Sequence, residues 1–192
     1  MEPAEAREDR IDAVELIQSD HRLIEGLFTR YEDASTGSDD GTREQLVLDI
    51  TRELSRHAGA EEQIFYPAVR QVLADGEPVV EESLDDHQHI KELLASLGDA
   101  SPSDDGYDAL VRELMSEVRE HVAEEESDIL PRLSTAVGPD EMRRIGEQMV
   151  KAKVMAPTRP HPNAPNTPPG NLVAGPAAGV VDRLRDAARG DG

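Results

Sequence analysis

Apolar residues recur along the chain in alternating steps of three and four, the period of a helix with one buried face. In the first such stretch Val14, Ile17, Ile24, Phe28 and Tyr31 share a stripe, and His21 falls within it. The second carries Leu46, Ile50, Leu54 and Ile64, with His57 and Glu61 on the same stripe. Pro67 should kink or loosen this helix, because proline removes a backbone donor and crowds the preceding turn. The pattern resumes at Ala68, Val69, Val72 and Leu73 and stops at Asp75-Gly76, which reads as a C-terminal glycine cap. A third helix, with Val80, Leu84, Ile90, Leu94 and Leu97 around His87, repeats the layout of the first and ends at Gly98. A fourth, with Tyr107, Leu110, Leu114, Val118 and Ile129 around His121 and Glu125, repeats the second. A shorter fifth helix is expected from near Pro139-Asp140 to near Lys153.

Between these stretches the composition is that of loops, at Ser35–Gly41 and Asp99–Gly106. Residues 1–11 are polar and expected to be flexible. Composition changes at Ala156, and seven prolines between residues 157 and 176 argue against helix there. A last amphipathic piece, Val180–Ala188, can form a short helix. The expected organisation is a flexible N-terminus (1–11), an all-α four-helix bundle with a short fifth helix (12–155), and a Pro-rich tail with a short terminal helix (156–192).

The helices carry one chemical element twice: an isolated histidine, a His-x-x-x-Glu pair, then a proline. The first copy is His21, His57 with Glu61, and Pro67; the second is His87, His121 with Glu125, and Pro131. In each copy the glutamate follows its histidine by four residues and the proline by ten, and an aspartate introduces each isolated histidine. A spacing of four places His and Glu side by side on a helix face, and here that face is the apolar one. Burying an unpartnered imidazole and carboxylate costs several kcal/mol for the ionised group. A cation removes that cost by ligation, and the core of a helix bundle is a recurrent home for such centres. Four imidazoles and two bridging carboxylates shared by two ions give each ion two nitrogens and two oxygens. A bridging oxide or hydroxide adds a fifth donor and leaves one position open for dioxygen, peroxide or nitric oxide. Such an N/O set suits iron or manganese, and zinc would also bind it.

Other polar residues fit less well. His89 is two residues from His87 and faces elsewhere; His161 sits in the proline-rich tail and is expected to be solvated. Glu25 follows His21 by four, but its counterpart in the second half is Lys91. Glu62 and Glu124 adjoin ligand positions and read as outer-sphere groups or surface charges. Tyr66, nine residues after His57, lies about half a turn round an ideal helix and would face the site only if the helix were re-phased near Pro67.

Composition narrows the remaining classes. There is no cysteine, which excludes disulfides, thiolate zinc sites and iron–sulfur clusters. The 41 acidic and 20 basic residues give a formal charge of −21, which repels phosphate backbones and anionic lipid. The N-terminus has no apolar signal-like core and no run is long enough to span a bilayer, so a cytoplasmic protein without membrane or nucleic-acid partners is expected.

These motifs resemble the hemerythrin-like, HHE cation-binding family, in particular its bacterial members. The resemblance covers roughly residues 12–135 and rests on Asp20-His21, His57-Ala-Gly-Ala-Glu61-Glu62 with Tyr66-Pro67, Asp86-His87, and His121-Val-Ala-Glu-Glu125-Glu126 with Leu130-Pro131. It implies an up-down-up-down bundle around a non-haem di-iron centre, bridged by oxide or hydroxide. His21, His57, His87 and His121 would be terminal ligands, and Glu61 and Glu125 bridges. The family's oxygen carriers place a second histidine four after the first on the third helix, where this chain has Lys91. They also end on a bridging aspartate five after the last histidine, where this chain has Glu126 and offers Glu125 one residue earlier. The resemblance therefore points away from oxygen carriage and toward the sensing or removal of dioxygen, peroxide or nitric oxide in stress response, with weak catalase-like turnover as the enzymatic version. Iron storage without turnover, and a metal-free interaction bundle, are the competing readings. A monomer or weak homo-oligomer is expected.

Overall fold

The structure, a computed structural model, describes residues 12–34, 39–167 and 170–189. The polar N-terminus 1–11 and most of the loop expected at Ser35–Gly41 lie outside the described residues. All regular structure among them is helical. The first half consists of α1 (Ala13–Ala34), α2 (Asp40–Ala60) and α3 (Tyr66–Val72); the second of α4 (Gly76–Asp99), α5 (Tyr107–Glu124) and α6 (Leu130–Val137). α7 (Pro139–Met155) and α8 (Gly170–Arg189) follow. No helix among the described residues is long and apolar enough to cross a membrane.

Local chemistry sets the helix starts. The Asp12 carboxylate accepts the Glu15 N–H at 3.0 Å, and the Asp39 carboxylate accepts the Thr42 N–H at 2.9 Å, each satisfying a donor that the first turn leaves free. Gly138 takes a positive φ of 76° and hands over to Pro139, whose missing N–H costs nothing at a helix start. Gly76 differs from the reading of it as a C-terminal cap: it is the first residue of α4. A Cβ there would collide with the Val69 carbonyl oxygen and the Arg70 Cα, so this tight corner between α3 and α4 needs glycine for space.

α1 packs along α2, and α4 along α5. Two apolar clusters fill the bundle. One holds Ile24, Phe28, Ile50, Leu54, Leu94 and Leu114; the other holds Ile17, Phe65, Val69, Val80, Leu133 and Ile145. Each long helix passes from one cluster to the other, in the sense second-to-first along α1 and α4 and first-to-second along α2 and α5. That alternation is the up-down-up-down order, and in every helix the histidine stands where the chain crosses between clusters. α7 closes the end of the second cluster by packing on α1, α2 and the turn that follows α2.

The expected kinks at Pro67 and Pro131 take the form of π-turns. Glu61–Phe65 joins α2 to α3 without a break, and Glu125–Ile129 joins α5 to α6. The Tyr66 N–H donates to the Glu61 carbonyl and the Leu130 N–H to the Glu125 carbonyl, five residues back instead of four. Each wide turn sits immediately before the proline-bearing turn, where a backbone donor is missing. One extra residue delays the helix by about 100° and changes which side chains face inward.

The tail departs from expectation. Helix begins at Gly170, not near residue 180, and contains Pro176. Its docking explains this: the Arg183 guanidinium donates to the Val154 and Ala156 carbonyls at 3.2 and 3.3 Å, and the Asn171 amide donates to the Glu62 carbonyl at 3.0 Å. Tertiary contacts outweigh the local penalty of one proline near the helix start.

The corner at Gly76 yields a stability test. Gly76→Ala should cost roughly 1–3 kcal/mol, the usual range for forced overpacking. Gly98→Ala, in the same helix with open space at its Cβ position, should be neutral or stabilising. Urea denaturation midpoints of the two variants read the difference directly.

Candidate metal centre

The polar layer between the two clusters contains His21 from α1, His57 from α2, Glu61 from the first π-turn, His87 from α4, His121 from α5 and Glu125 from the second π-turn. All six are 0–5 % exposed. His21 and His57 pair with ring centroids 4.9 Å apart, and His87 and His121 with centroids 4.8 Å apart. The two carboxylates span the pairs. Glu61 lies 3.2 Å from His57 Nε2 through one oxygen and 3.5 Å from His87 Nε2 through the other. Glu125 Oε2 lies 3.4 Å from His21 Nε2 and 3.7 Å from His121 Nε2. One ligand atom from each of His21, His57, Glu61 and Glu125 falls within 4.8 Å of the others, and Glu61 also gathers His87 and His121 in the same way.

An outer ring of carboxylates orients the imidazoles. His21 Nδ1 meets Glu126 at 2.8 Å, and His87 Nδ1 meets Glu62 at 3.1 Å. His57 Nδ1 meets Asp20 at 3.3 Å, and His121 Nδ1 meets Asp86 at 3.2 Å. A carboxylate only accepts, so each Nδ1 carries a proton and each Nε2 is turned inward. Two lysines complete the ring: Lys153 binds Asp20 at 2.5 Å and Lys91 binds Glu62 at 2.6 Å. Burial alone would raise both carboxyls, but His57 with Lys153, and His87 with Lys91, hold them below their ordinary range.

The inner set is almost entirely made of acceptors. His21 Nε2, His57 Nε2, both Glu61 oxygens and Glu125 Oε2 are buried without a hydrogen-bond partner. Such a cluster of lone pairs repels itself unless a cation or a proton stands among them. Desolvation, followed by the Glu125 charge, pushes the Glu61 carboxyl well above its ordinary value. Burial acts on Glu125 in the same sense, but His121, His21 and His57 outweigh it and hold that carboxyl low. Desolvation also depresses His57, to about 4, and His87. Burial and the Glu125 charge thus favour the protonated form of Glu61 in the metal-free protein. Two nitrogen pairs bridged by two carboxylates fit a pair of divalent or trivalent cations; the donor set contains nothing soft enough to select copper(I).

Tyr66 also enters this layer. Its hydroxyl donates to Glu125 Oε1 at 3.0 Å and lies 3.1 Å from His87 Nε2 and 3.5 Å from His121 Nε2. Burial and the neighbouring Glu125 and Glu61 charges raise its pKa well above the ordinary value, so the phenol keeps its proton in the metal-free site. The π-turn supplies the re-phasing that an ideal helix lacks. Of the other residues weighed, Glu25 is exposed and paired with Arg119 at 2.7 Å, and Glu124 and His89 are exposed. His161 is not simply solvated: its Nε2 lies 2.9 Å from the fully buried Asp182 carboxylate. The outer-ring roles of Asp20, Asp86 and Glu126 were not read from the sequence. The signal was the acid placed beside each ligand in both copies.

The raised Glu61 and depressed His57 set the pH behaviour of the metal-free protein. A carboxyl raised by folding contributes stability that is present below its ordinary value of 4.5 and is lost as pH rises through the folded value. Glu61→Gln should therefore raise the melting temperature of the metal-free protein, by a margin that grows from pH 4.5 upward, while lowering metal content. His57 has the opposite sense, giving stability that is present above 6.5 and lost as pH falls through about 4. Melting curves of chelated wild type and Glu61→Gln across this range check both; a Gln variant that melts below wild type at pH 8 (a pH chosen to lie well above the ordinary carboxyl range of about 4) would contradict the account.

Comparison with known proteins bears on the family and the fold. The family model described as Hemerythrin HHE cation binding domain matches residues 12–133. An uncharacterised hemerythrin-like protein of Schizosaccharomyces pombe is 30% identical over 171 residues, covering 88% of this chain and 83% of that one. A DNA nickase of Nostoc is 27% identical over 139 residues, which span 72% of this chain but 38% of the nickase. The crystal structure of a Hemerythrin HHE cation binding domain-containing protein from Mycobacterium kansasii superposes with a TM-score of 0.65 at 23% identity, over 75% of this chain and 86% of that one, and shares the fold. With the family match running through both His-x-x-x-Glu pairs, the chain belongs to the hemerythrin HHE cation-binding family.

Proposed function

We propose that the chain is a non-haem di-iron protein that binds dioxygen, peroxide or nitric oxide in oxidative or nitrosative stress response. The observation that carries this reading is the convergence of the partnerless His21 and His57 Nε2 atoms with partnerless Glu61 and Glu125 oxygens in one buried layer. His21 and His57 would hold one ion, His87 and His121 the other, and Glu61 and Glu125 would bridge them. Tyr66 is a further oxygen donor on the His87–His121 side. When bound, the iron pair supplies redox chemistry and open positions for small ligands, including weak disproportionation of peroxide to water and dioxygen. Manganese or zinc would fit the same donors.

The chain's own residues prepare that chemistry. The outer carboxylates fix tautomer and ring direction, so no rotamer search precedes binding. The apolar clusters on either side exclude bulk water and strengthen every electrostatic contact within the layer. The Tyr66 hydroxyl holds a proton within 3.0 Å of Glu125, where an anionic reaction product could take it. We also take the protein to act in the cytoplasm, as a monomer or weak homo-oligomer without membrane or nucleic-acid partners; the charge of −21 supports this.

Metal analysis of protein from its native host should find about two iron ions per chain. His57→Ala and His121→Ala should each lower that content strongly, and His89→Ala and His161→Ala should not. Stoichiometric zinc without iron would refute the iron reading, and peroxide-driven oxygen release no greater than that of free iron would remove the catalase-like part.

A further inference from the structure

The second half of the bundle repeats the layout of the first, and two side clefts lead to the polar layer at equivalent positions. One runs between α1 and α5 and reaches His21 and Glu126. Its counterpart runs between α2 and α4 and reaches His87 and Glu62. The cleft walls are alike, with Ile24, Phe28, Val118 and Val122 in the first and Leu54, Ala58, Ile90 and Leu94 in the second. What covers them is not alike.

The α2–α4 cleft is roofed by the chain's own tail. Pro157, Pro160, Pro165, Asn171 and Gly175 line it from above, and about 60 Å³ remains. The roof is fastened. Asp182 on α8, fully buried, accepts the Thr158 N–H at 3.2 Å and meets His161 at 2.9 Å. Gly179 lies so near α7 that a Cβ would stand 2.5 Å from the Met155 carbonyl oxygen and 2.8 Å from that of Ala156. Lys91 caps Glu62 inside this cleft and leaves its side chain 6% exposed. The α1–α5 cleft has no such roof among the described residues and keeps about 240 Å³. Its position equivalent to Lys91 is Glu25, which lines this cleft paired with Arg119, and the Glu126 side chain stays 38% exposed. The asymmetry continues within the layer. Tyr66 brings an oxygen to the His87–His121 side, whereas the equivalent residue in the second half is Leu130, which has no donor atom to offer.

We propose that small uncharged ligands such as nitric oxide or peroxide reach the centre through the α1–α5 cleft and bind at its His21–His57 end, because the docked tail and Tyr66 close the counterpart at His87–His121. This rests on the reading of the layer as a metal centre. Ile24, Phe28, Val118 and Val122 suit an uncharged molecule, while Arg22 and the Glu25–Arg119 pair also line the cleft, and the open volume exceeds that of several waters. The closed half then serves to hold its metal while the open half takes the ligand.

The test uses nitric oxide as the probe and the full-length, iron-loaded, reduced protein. The rate of nitric oxide binding is read by stopped-flow absorbance, with iron content and helicity measured for every variant. Ala123 lines the open cleft on the exposed face of α5, so Ala123→Trp should fill it. We expect binding to slow by about tenfold or more at unchanged iron content, a barrier increase of about 1.4 kcal/mol. Adding Gly179→Val, which lifts α8 from α7, should restore most of the rate by opening the second cleft. Asn171→Ala, which removes the bond to the Glu62 carbonyl, is the gentler alternative should the valine variant lose helicity. Wild-type rates in Ala123→Trp overturn the route; a double variant as slow as Ala123→Trp, with both tail variants, overturns the role of the tail. Wild-type protein that holds iron and binds nitric oxide keeps the metal reading intact in either case, whereas wild type without iron removes both.

Discussion

The bundle is built around the repulsion among its own buried acceptors. Four imidazoles and two carboxylates occupy one layer, and the Tyr66 hydroxyl donates a proton into it. Nothing in the apolar clusters requires this layer; hydrophobic residues there would make a more stable core. Its retention makes sense only if something positive is held there. Other polar features follow from keeping the layer aimed inward. The Asp and Glu residues that meet each Nδ1 decide the tautomer, and Lys91 and Lys153 keep two of those carboxylates ionised.

The same layer divides the work of stability. The clusters above and below it are each large enough to hold helices together, unlike small zinc domains whose fold is the metal site. Metal-free protein can therefore be folded, yet burial and the Glu125 charge raise its Glu61 carboxyl well above the ordinary value of 4.5. A ligand that binds only the folded chain adds stability by mass action, about 2.7 kcal/mol at a hundredfold excess over its dissociation constant.

Most of the layer was legible in the sequence because helix periodicity placed His21, His57, Glu61, His87, His121 and Glu125 on apolar stripes. Their four-residue spacing survives any small error in helix ends. Tyr66 was not legible, because an ideal helix turns it about 180° from His57 and only the π-turn brings it round. The proline that signals the turn says that hydrogen bonding is disturbed, not that one residue is inserted. The outer ring was visible as repeated Asp-His and Glu-Glu pairs but not as partners, since Asp20 reaches His57 and Glu126 reaches His21 across helices. The tail was hidden for a different reason. Its proline content forbids helix by local propensity, and only contacts with α7 and the Glu62 carbonyl make Gly170–Arg189 helical.

Pseudo-symmetry makes the departures informative. A duplicated helix pair with identical ligands has no physical reason to favour one end of its metal layer. Two of the differences that break the symmetry fall at the same end, whereas Lys153, which binds Asp20 beside His57, adds a contact at the other. Tyr66 against Leu130 and Lys91 against Glu25 both add polar contacts at the His87 end and withhold them at the His21 end. The tail covers that same first end. On the proposed route, the difference between the α1–α5 and α2–α4 clefts would separate affinity for metal from access for ligand within one layer.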